Sequence, residues 1–215
     1  RRERDLEAVA ATRFAETGEA VGSSRFEAGP AAFNAIAAHG MDALSDLTGD
    51  DGWRDRAASL ADAMDGILWD AQEGLWSDLA IIGGGDSVAV PTLDGVFGAL
   101  ATRDQSKAER ALAQLDDETR FGAPFGLAYV ARSHPTYRGD LYWRGAAWPQ
   151  LNHLARVAAH RWGADELAEQ IAGMSRRGAI KSGFSELWDP LTGEARGAVP
   201  QTWAALAAVP SEMVR

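Results

Sequence analysis

The chain has no cysteine among its 215 residues, which excludes disulfides and thiolate chemistry. Histidine is sparse. The four present, His39, His134, His153 and His160, show no HExxH spacing, and no calcium-binding loop pattern occurs, so neither a metal site nor a cofactor is expected. Positive charge is short as well: 21 Lys and Arg against 31 Asp and Glu leave a net charge of −10. That balance argues against nucleic acid and against an anionic membrane surface as partners. It also makes any small anionic substrate dependent on local arginines. No apolar run approaches membrane-spanning length. The sequence starts at Arg1 rather than Met, with a charged segment and no signal-peptide pattern, and a cytoplasmic location is expected.

What is present is apolar and glycine-rich. The composition is 46% hydrophobic with 23 glycines, which is globular rather than disordered. The length suits one domain or part of a larger one. Helical spacing dominates. It predicts a helix over 1–17, then one entered by Pro30 and stopped by Gly49, in which Phe33, Ile36, Met41, Leu44 and Leu47 recur at helical intervals. Asp50 and Asp51 open the next, which runs to about Trp69. Further helices are predicted over 92–101, from Ser106 as cap to about Leu115, from the Trp148 and Pro149 region to Trp162, from Asp165 to about Arg177, and from Pro200 onward. No strand run stands out, although short hairpins fit inside the longer connections. Those connections alternate short and long. Helical hairpins packed side by side give that alternation, with short turns on one face and long loops on the other. The pattern predicts an all-α fold, about half of an (α/α)6 toroid, with the long loops building the site.

Residues 137–152 concentrate Tyr142, Trp143, Arg144 and Trp148, with Asp140 towards one end and Asn152 at the other. Aromatic faces beside fixed polar groups suit a sugar: its C–H face lies on a ring while its hydroxyls take hydrogen bonds. A helix start whose aromatics plug a core is the alternative for both tryptophans. An Arg buried between aromatics needs a carboxylate or several carbonyls, and a substrate carboxylate or Glu186 could fill that role. Glu186 lies in the second informative stretch, 181–193, between Phe184 and Trp188 and after Gly183. A loop carboxylate there can activate water as a general base, and an ordinary solvated Glu is the other reading. Trp203 reads as core. Gly83, Gly84 and Gly85 lack the Lys and Ser/Thr of a phosphate loop, and no serine stands in a nucleophile elbow.

Tyr142-Trp143-Arg144-Gly145, Trp148-Pro149 and Asn152, then Gly183, Phe184 and Glu186, the turn at 189–193 and Thr202-Trp203-Ala204, resemble the C-terminal half of glycoside hydrolase family 63. The resemblance is strongest to its bacterial glucosylglycerate and mannosylglycerate hydrolases, and trehalases share a looser version. It covers the chain from about residue 26, including the Leu68-Trp69-Asp70 and Leu75-Trp76 segments. It implies an (α/α)6 toroid and an inverting mechanism, in which one carboxylic acid protonates the glycosidic oxygen and a carboxylate across the ring activates water. Glu186 matches the general base, and Trp143, Arg144 and Trp148 match pocket-wall positions. The expected site is thus Glu186, with Tyr142, Trp143, Arg144, Trp148 and Trp188 binding the sugar. The family's general acid is an Asp in an upstream motif that has no equivalent here; Asp94 and Asp140 lie in other parts of the expected fold. Residues 1–215 are therefore expected to form the C-terminal part of the catalytic domain, inactive alone. Joined to a missing N-terminal half, it would hydrolyse a small α-glucoside or α-mannoside such as glucosylglycerate. Exposed helix faces would otherwise favour self-association. The rival expectation is a catalytically inactive carbohydrate-binding or interaction remnant. A sugar epimerase on the same fold would lean on His, and none of the four lies in either stretch.

Overall fold

Pro30 and Gly49 bracket the first long helix as the sequence predicts. In the computed structural model, which describes residues 28–80, 86, 87 and 90–210 together with positions 7, 10, 13, 14, 20, 21 and 213, α1 spans Ala31–Thr48. Pro30 is extended before it. Gly49 closes it at φ 71°, a left-handed conformation that costs a glycine little, and its N–H donates to the Ser45 carbonyl. Asp50 then caps α2 (Asp51–Ile67) by accepting the Gly52 N–H. A 3-10 segment, η1 (Leu93–Leu100), stands where a helix is predicted over 92–101. Its Gly98 lies so close to Trp76 that an added Cβ would run into the indole. Helix α3 (Gln105–Leu112) runs on into a 3-10 turn, η2 (Ala113–Leu115). Its cap is Asp104 rather than Ser106, because the Asp104 carboxylate reaches the N–H groups of both Ser106 and Lys107. Helix α4 (Pro149–Arg161) has Pro149 in its first turn, where the missing N–H is harmless. Helix α5 (Asp165–Lys181) continues four residues past Arg177, and the closing 3-10 segment η3 covers Thr202–Ala208.

Two-residue strands pair inside the long connections. Trp69–Asp70 meets Leu75–Trp76, Leu187–Trp188 meets Ala195–Arg196, and Leu79–Ala80 lies between Ala28–Gly29 and Asp86–Ser87, all antiparallel. Near the N-terminus, Glu7 and Ala10 are helical, but Arg13–Phe14 pairs with Ala20–Val21, so the helix predicted over 1–17 gives way before Arg13; its other residues lie outside the described ones.

The elements form two rows. In the first, η1 packs on α1, α4 on η1, and η3 on α4. In the second, α2 backs α1, α3 backs η1, and α5 backs α4 and η3. Each long connection, around 68–91, 116–148 and 182–201, enters a first-row element, so the loops meet at the N-terminal ends of η1, α4 and η3. The core between the rows is built of small and medium side chains on η1 and all five helices, α1 to α5, with Trp76, Phe97 and Phe121 as its large members. Asp42 ties the row together below: Arg103 donates two hydrogen bonds to it, at 2.9 and 3.0 Å, and Arg161 one at 3.4 Å.

The large apolar residues that mark α1 in the sequence are not its buried face. Ala31, Ala32, Ala35, Ala38, Asp42 and Ser45 are buried instead, while Phe33 is 77% and Leu47 is 83% exposed. Small residues let α1 approach α2 and η1 closely, and of the bulky residues Met41 packs on the core while Phe33, Ile36, Leu44 and Leu47 stay exposed.

Candidate active site

Glu186 is positioned by the way α5 ends. Gly183 and Phe184 both take left-handed backbone conformations, at φ 68° and 59°. The second is costly for a residue with a side chain, and such strain collects at functional sites. The Phe184 N–H donates to the Ala179 carbonyl at 2.7 Å, and the chain turns sharply toward the site. The Glu186 N–H donates to the Ala198 carbonyl at 2.7 Å, and the Ala198 N–H returns a bond to Oε2 at 3.1 Å. The other carboxylate oxygen, Oε1, accepts from the Tyr142 hydroxyl at 2.5 Å. That hydrogen bond, with some desolvation and the carboxylate's charge, holds the Tyr142 phenol above its ordinary pKa. Trp203 donates its indole N–H to the Glu186 carbonyl at 2.9 Å. Glu186 is half-buried, its carboxylate held from two segments of chain and its backbone carbonyl from a third.

Beside it stands an aromatic stack. Trp148, at the mouth of α4, is buried and donates its indole N–H to the Tyr142 carbonyl at 3.3 Å. Trp143 lies parallel on it, with centroids 4.2 Å apart and planes 12° off. Tyr142 meets both indoles edge-on, at 5.5 and 4.7 Å, and Trp203 meets Trp148 at 6.0 Å. Tyr129 touches Trp143 edge-on at 5.1 Å, and its hydroxyl donates to Asp94 Oδ2 at 2.6 Å. Trp143 is 49% exposed, so this stack presents an indole to solvent next to a fixed carboxylate.

The structure brings Glu186, Tyr142, Trp143 and Trp148 together, and it places five residues otherwise than expected: Trp148, Trp188, Arg144, Asn152 and Trp203. Trp148 is underneath the stack, supporting Trp143 rather than facing outward. Trp188 is fully buried between Ala147, Ala179 and Phe125, with its indole N–H on the Phe125 carbonyl, so it is a core residue and no wall of the pocket. Arg144 is exposed instead of wedged between aromatics, and no side-chain hydrogen bond joins it to Glu186 among the described residues. Asn152, expected at the edge of the sugar wall, is buried: its Oδ1 accepts from the Leu127 N–H at 3.0 Å and its Nδ2 donates to Ser175. It anchors the loop that carries Tyr129. Trp203, which reads as core in the sequence, is instead at the site, and Tyr129 joins it there without having been singled out. The position of Trp203 just after Gln201 and Thr202, at the opening of a first-row element, is the available signal; Tyr129 has none. Among the described residues, no group of three or more His, Asp or Glu could hold a metal ion, and no helix is long and apolar enough to cross a membrane.

A family model for the mannosylglycerate hydrolase MGH1-like glycoside hydrolase domain matches residues 2–204. The mannosylglycerate hydrolase of Thermus thermophilus is 28% identical over 142 residues, covering 66% of this chain and 34% of that protein. The glucosylglycerate hydrolase of Mycolicibacterium hassiacum is 35% identical over 104 residues, 46% of this chain and 23% of that protein. The crystal structure of a family 63 mannosylglycerate hydrolase from Thermus thermophilus in complex with glucose superposes with a TM-score of 0.76 at 26% identity, over 85% of this chain and 47% of that one. The chain thus spans about a third of the curated relative from Thermus and about half of the solved enzyme. The two rows of helices are part of an α/α toroid.

Proposed function

Because the chain belongs to the MGH1-like glycoside hydrolases, related to family 63, we propose that it is the base-bearing part of an inverting glycosidase that cleaves a small α-glucoside or α-mannoside of the glucosylglycerate type. The observation that carries this reading is the Glu186 carboxylate, pinned by Tyr142 and Ala198 beside the exposed indole of Trp143. In this reading the sugar's C–H face lies on Trp143. Glu186 draws a proton from a water placed behind the anomeric carbon, and that water attacks as the glycosidic bond breaks. Its two hydrogen bonds fix which lone pairs remain to face the water. The general acid is an Asp on a further helical part of the protein, across the ring, and residues 1–215 are one portion of that single catalytic domain. Similarity to mannosylglycerate and glucosylglycerate hydrolases supports the substrate class, a glycosyl unit joined to glycerate. Arg144, exposed and unclaimed by Glu186, is the cation of this wall that suits a glycerate carboxylate.

The test is Glu186→Gln in the complete protein, assayed on glucosylglycerate and mannosylglycerate. Turnover should fall about a thousandfold or more, as expected for loss of a general base, while the melting temperature stays within a few degrees. Unchanged turnover would sink the assignment. Binding of these glycosides by calorimetry without any hydrolysis in the parent protein would favour the binding-remnant reading instead.

A further inference from the structure

One pair of polar residues near the stack has no part in the reaction just described. Asp94 opens η1, and Tyr129 sits on the loop between η2 and α4. The loop holds Tyr129 by its backbone from both sides: its carbonyl accepts the Leu93 N–H at 2.8 Å, and its own N–H donates to the Gly145 carbonyl at 3.3 Å. Its hydroxyl donates to Asp94, and its ring edge abuts Trp143. A cavity of about 340 Å³ opens beside them, lined by Asp94, Tyr129 and Trp143 together with the apolar Phe33, Ile36 and Leu154.

Trp143 needs such a support. Its indole nitrogen has no hydrogen-bond partner among the described residues, so ring contacts alone orient it. Stacking on Trp148 sets its plane but leaves it free to slide and turn within that plane. Tyr142 touches one edge, yet Tyr142 is half-exposed and its hydroxyl belongs to Glu186. Tyr129 is the more buried of the two edge partners and is fixed at its far end. Burial pushes the Asp94 carboxyl above its ordinary pKa, the nearby Asp78 charge adds to this, and the Tyr129 hydrogen bond opposes it. A buried acid of this kind contributes little to stability for what its desolvation costs, and an apolar pair would sit well against Phe33, Ile36 and Leu154.

We propose that Asp94 and Tyr129 are a positioning pair for Trp143: the carboxyl fixes the phenol, and the phenol's ring edge sets the angle of the indole on which the sugar stacks. The pair and the indole belong to this chain alone, and only the sugar rests on the reading of the preceding section.

Indole ¹H–¹⁵N resonances test it without any assay of activity. The chain has eight tryptophans, and Trp143→Phe identifies the signal of interest. Tyr129→Phe keeps the ring and frees it from Asp94; Asp94→Ala removes the anchor; Asp94→Asn keeps an acceptor. The first two should shift or broaden the Trp143 signal while the buried Trp188 signal stays in place, and Asp94→Asn should restore a spectrum close to the parent's. A stationary Trp143 signal in any folded variant lacking the bond overturns the proposal. Should Asp94→Ala lose the Trp188 signal through unfolding, Tyr129→Phe decides alone. In the complete enzyme Tyr129→Phe and Asp94→Ala should each raise KM about three- to tenfold, the size of a weakened aromatic edge contact, with kcat nearly unchanged, and Asp94→Asn should leave both near the parent's. If Glu186→Gln proves harmless there, the resonance result still stands or falls by itself.

Discussion

At the scale of single residues, the glycine that faces Glu186 is as constrained as the carboxylate. Gly197 sits at φ 69°, and a Cβ added to it would collide with Glu186 Oε2. Gly197→Ala is therefore expected to push the carboxylate off its two hydrogen bonds. A displacement of about 1 Å at a catalytic group costs on the order of a hundredfold in rate. We expect a loss of that size in kcat/KM of the complete enzyme, with a change in melting temperature of only a few degrees. Tyr142→Phe probes the other oxygen. It keeps the ring in the stack and removes the donor to Oε1; a hydrogen bond to a charged group is worth about 1.5–3 kcal/mol, so kcat should fall about ten- to a hundredfold with KM little altered. The sequence announces Tyr142 as a sugar contact, through its place beside two tryptophans. That its hydroxyl reaches across 44 positions to Glu186 depends on the hairpin that returns Ala198 to Glu186, which no local pattern encodes.

At the scale of elements, the Asp42 cluster joins α1, α4 and the turn after η1. Burial raises the Asp42 carboxyl's pKa, but the hydrogen bonds and charge of Arg103, with Arg161 behind it, outweigh burial and leave it below the ordinary value. A lowered folded pKa means that the contribution is complete above the unfolded value, near pH 4, and is lost as pH falls through the folded value. Asp42→Asn should accordingly cost about 1–3 kcal/mol at pH 7, read from urea midpoints, and the gap to the parent should shrink as the pH is taken below 4. Capping and breaking were legible element by element: Pro30, Gly49, Asp50 and Pro149 act within a turn of where they stand. Partners were not. Trp148 and Trp188 have the same local chemistry as an exposed wall, and only the arrival of Tyr142 and Trp143 on one, and of Gly178 and Phe125 on the other, buries them. Gly178 shows how tight that burial is, since a Cβ there would collide with the Trp188 indole nitrogen.

At the scale of the whole molecule, α1 is apolar on nearly every side, which suits a helix that is covered all round. Phe33, Ile36, Leu44 and Leu47 form one exposed stripe on it, whose Phe33 end borders the cavity beside Asp94. In a toroid the free flank of a first-row helix meets the next helix of the ring, and we take this stripe as the seat of the further helical part that would carry the general acid. Leu47→Glu with Phe33→Ser should make the isolated chain more monodisperse in light scattering, because an exposed apolar patch promotes association. The same pair should lower the stability of the complete protein by several kcal/mol. A more monodisperse chain with an equally stable complete protein would show that the stripe is not an internal seam. The alternating loop lengths made the ring legible in outline; the direction in which α1 faces was hidden, because its small and its large apolar residues both recur at helical spacing.

The order of the first row, α1, η1, α4, η3, follows the order of the chain, and each member rests chiefly on its neighbours. Opening of such an arc runs inward from its ends, as in stacked repeats. Among the described residues η3 stands at the edge of this row, resting on α4 and α5, and it holds Trp203 and, through Gln201, the loop of Glu186. Amide protons at 184–204 should exchange with solvent sooner than those of η1 or the middle of α4, so the lifetime of the cradle around Glu186 is set by how long η3 stays docked.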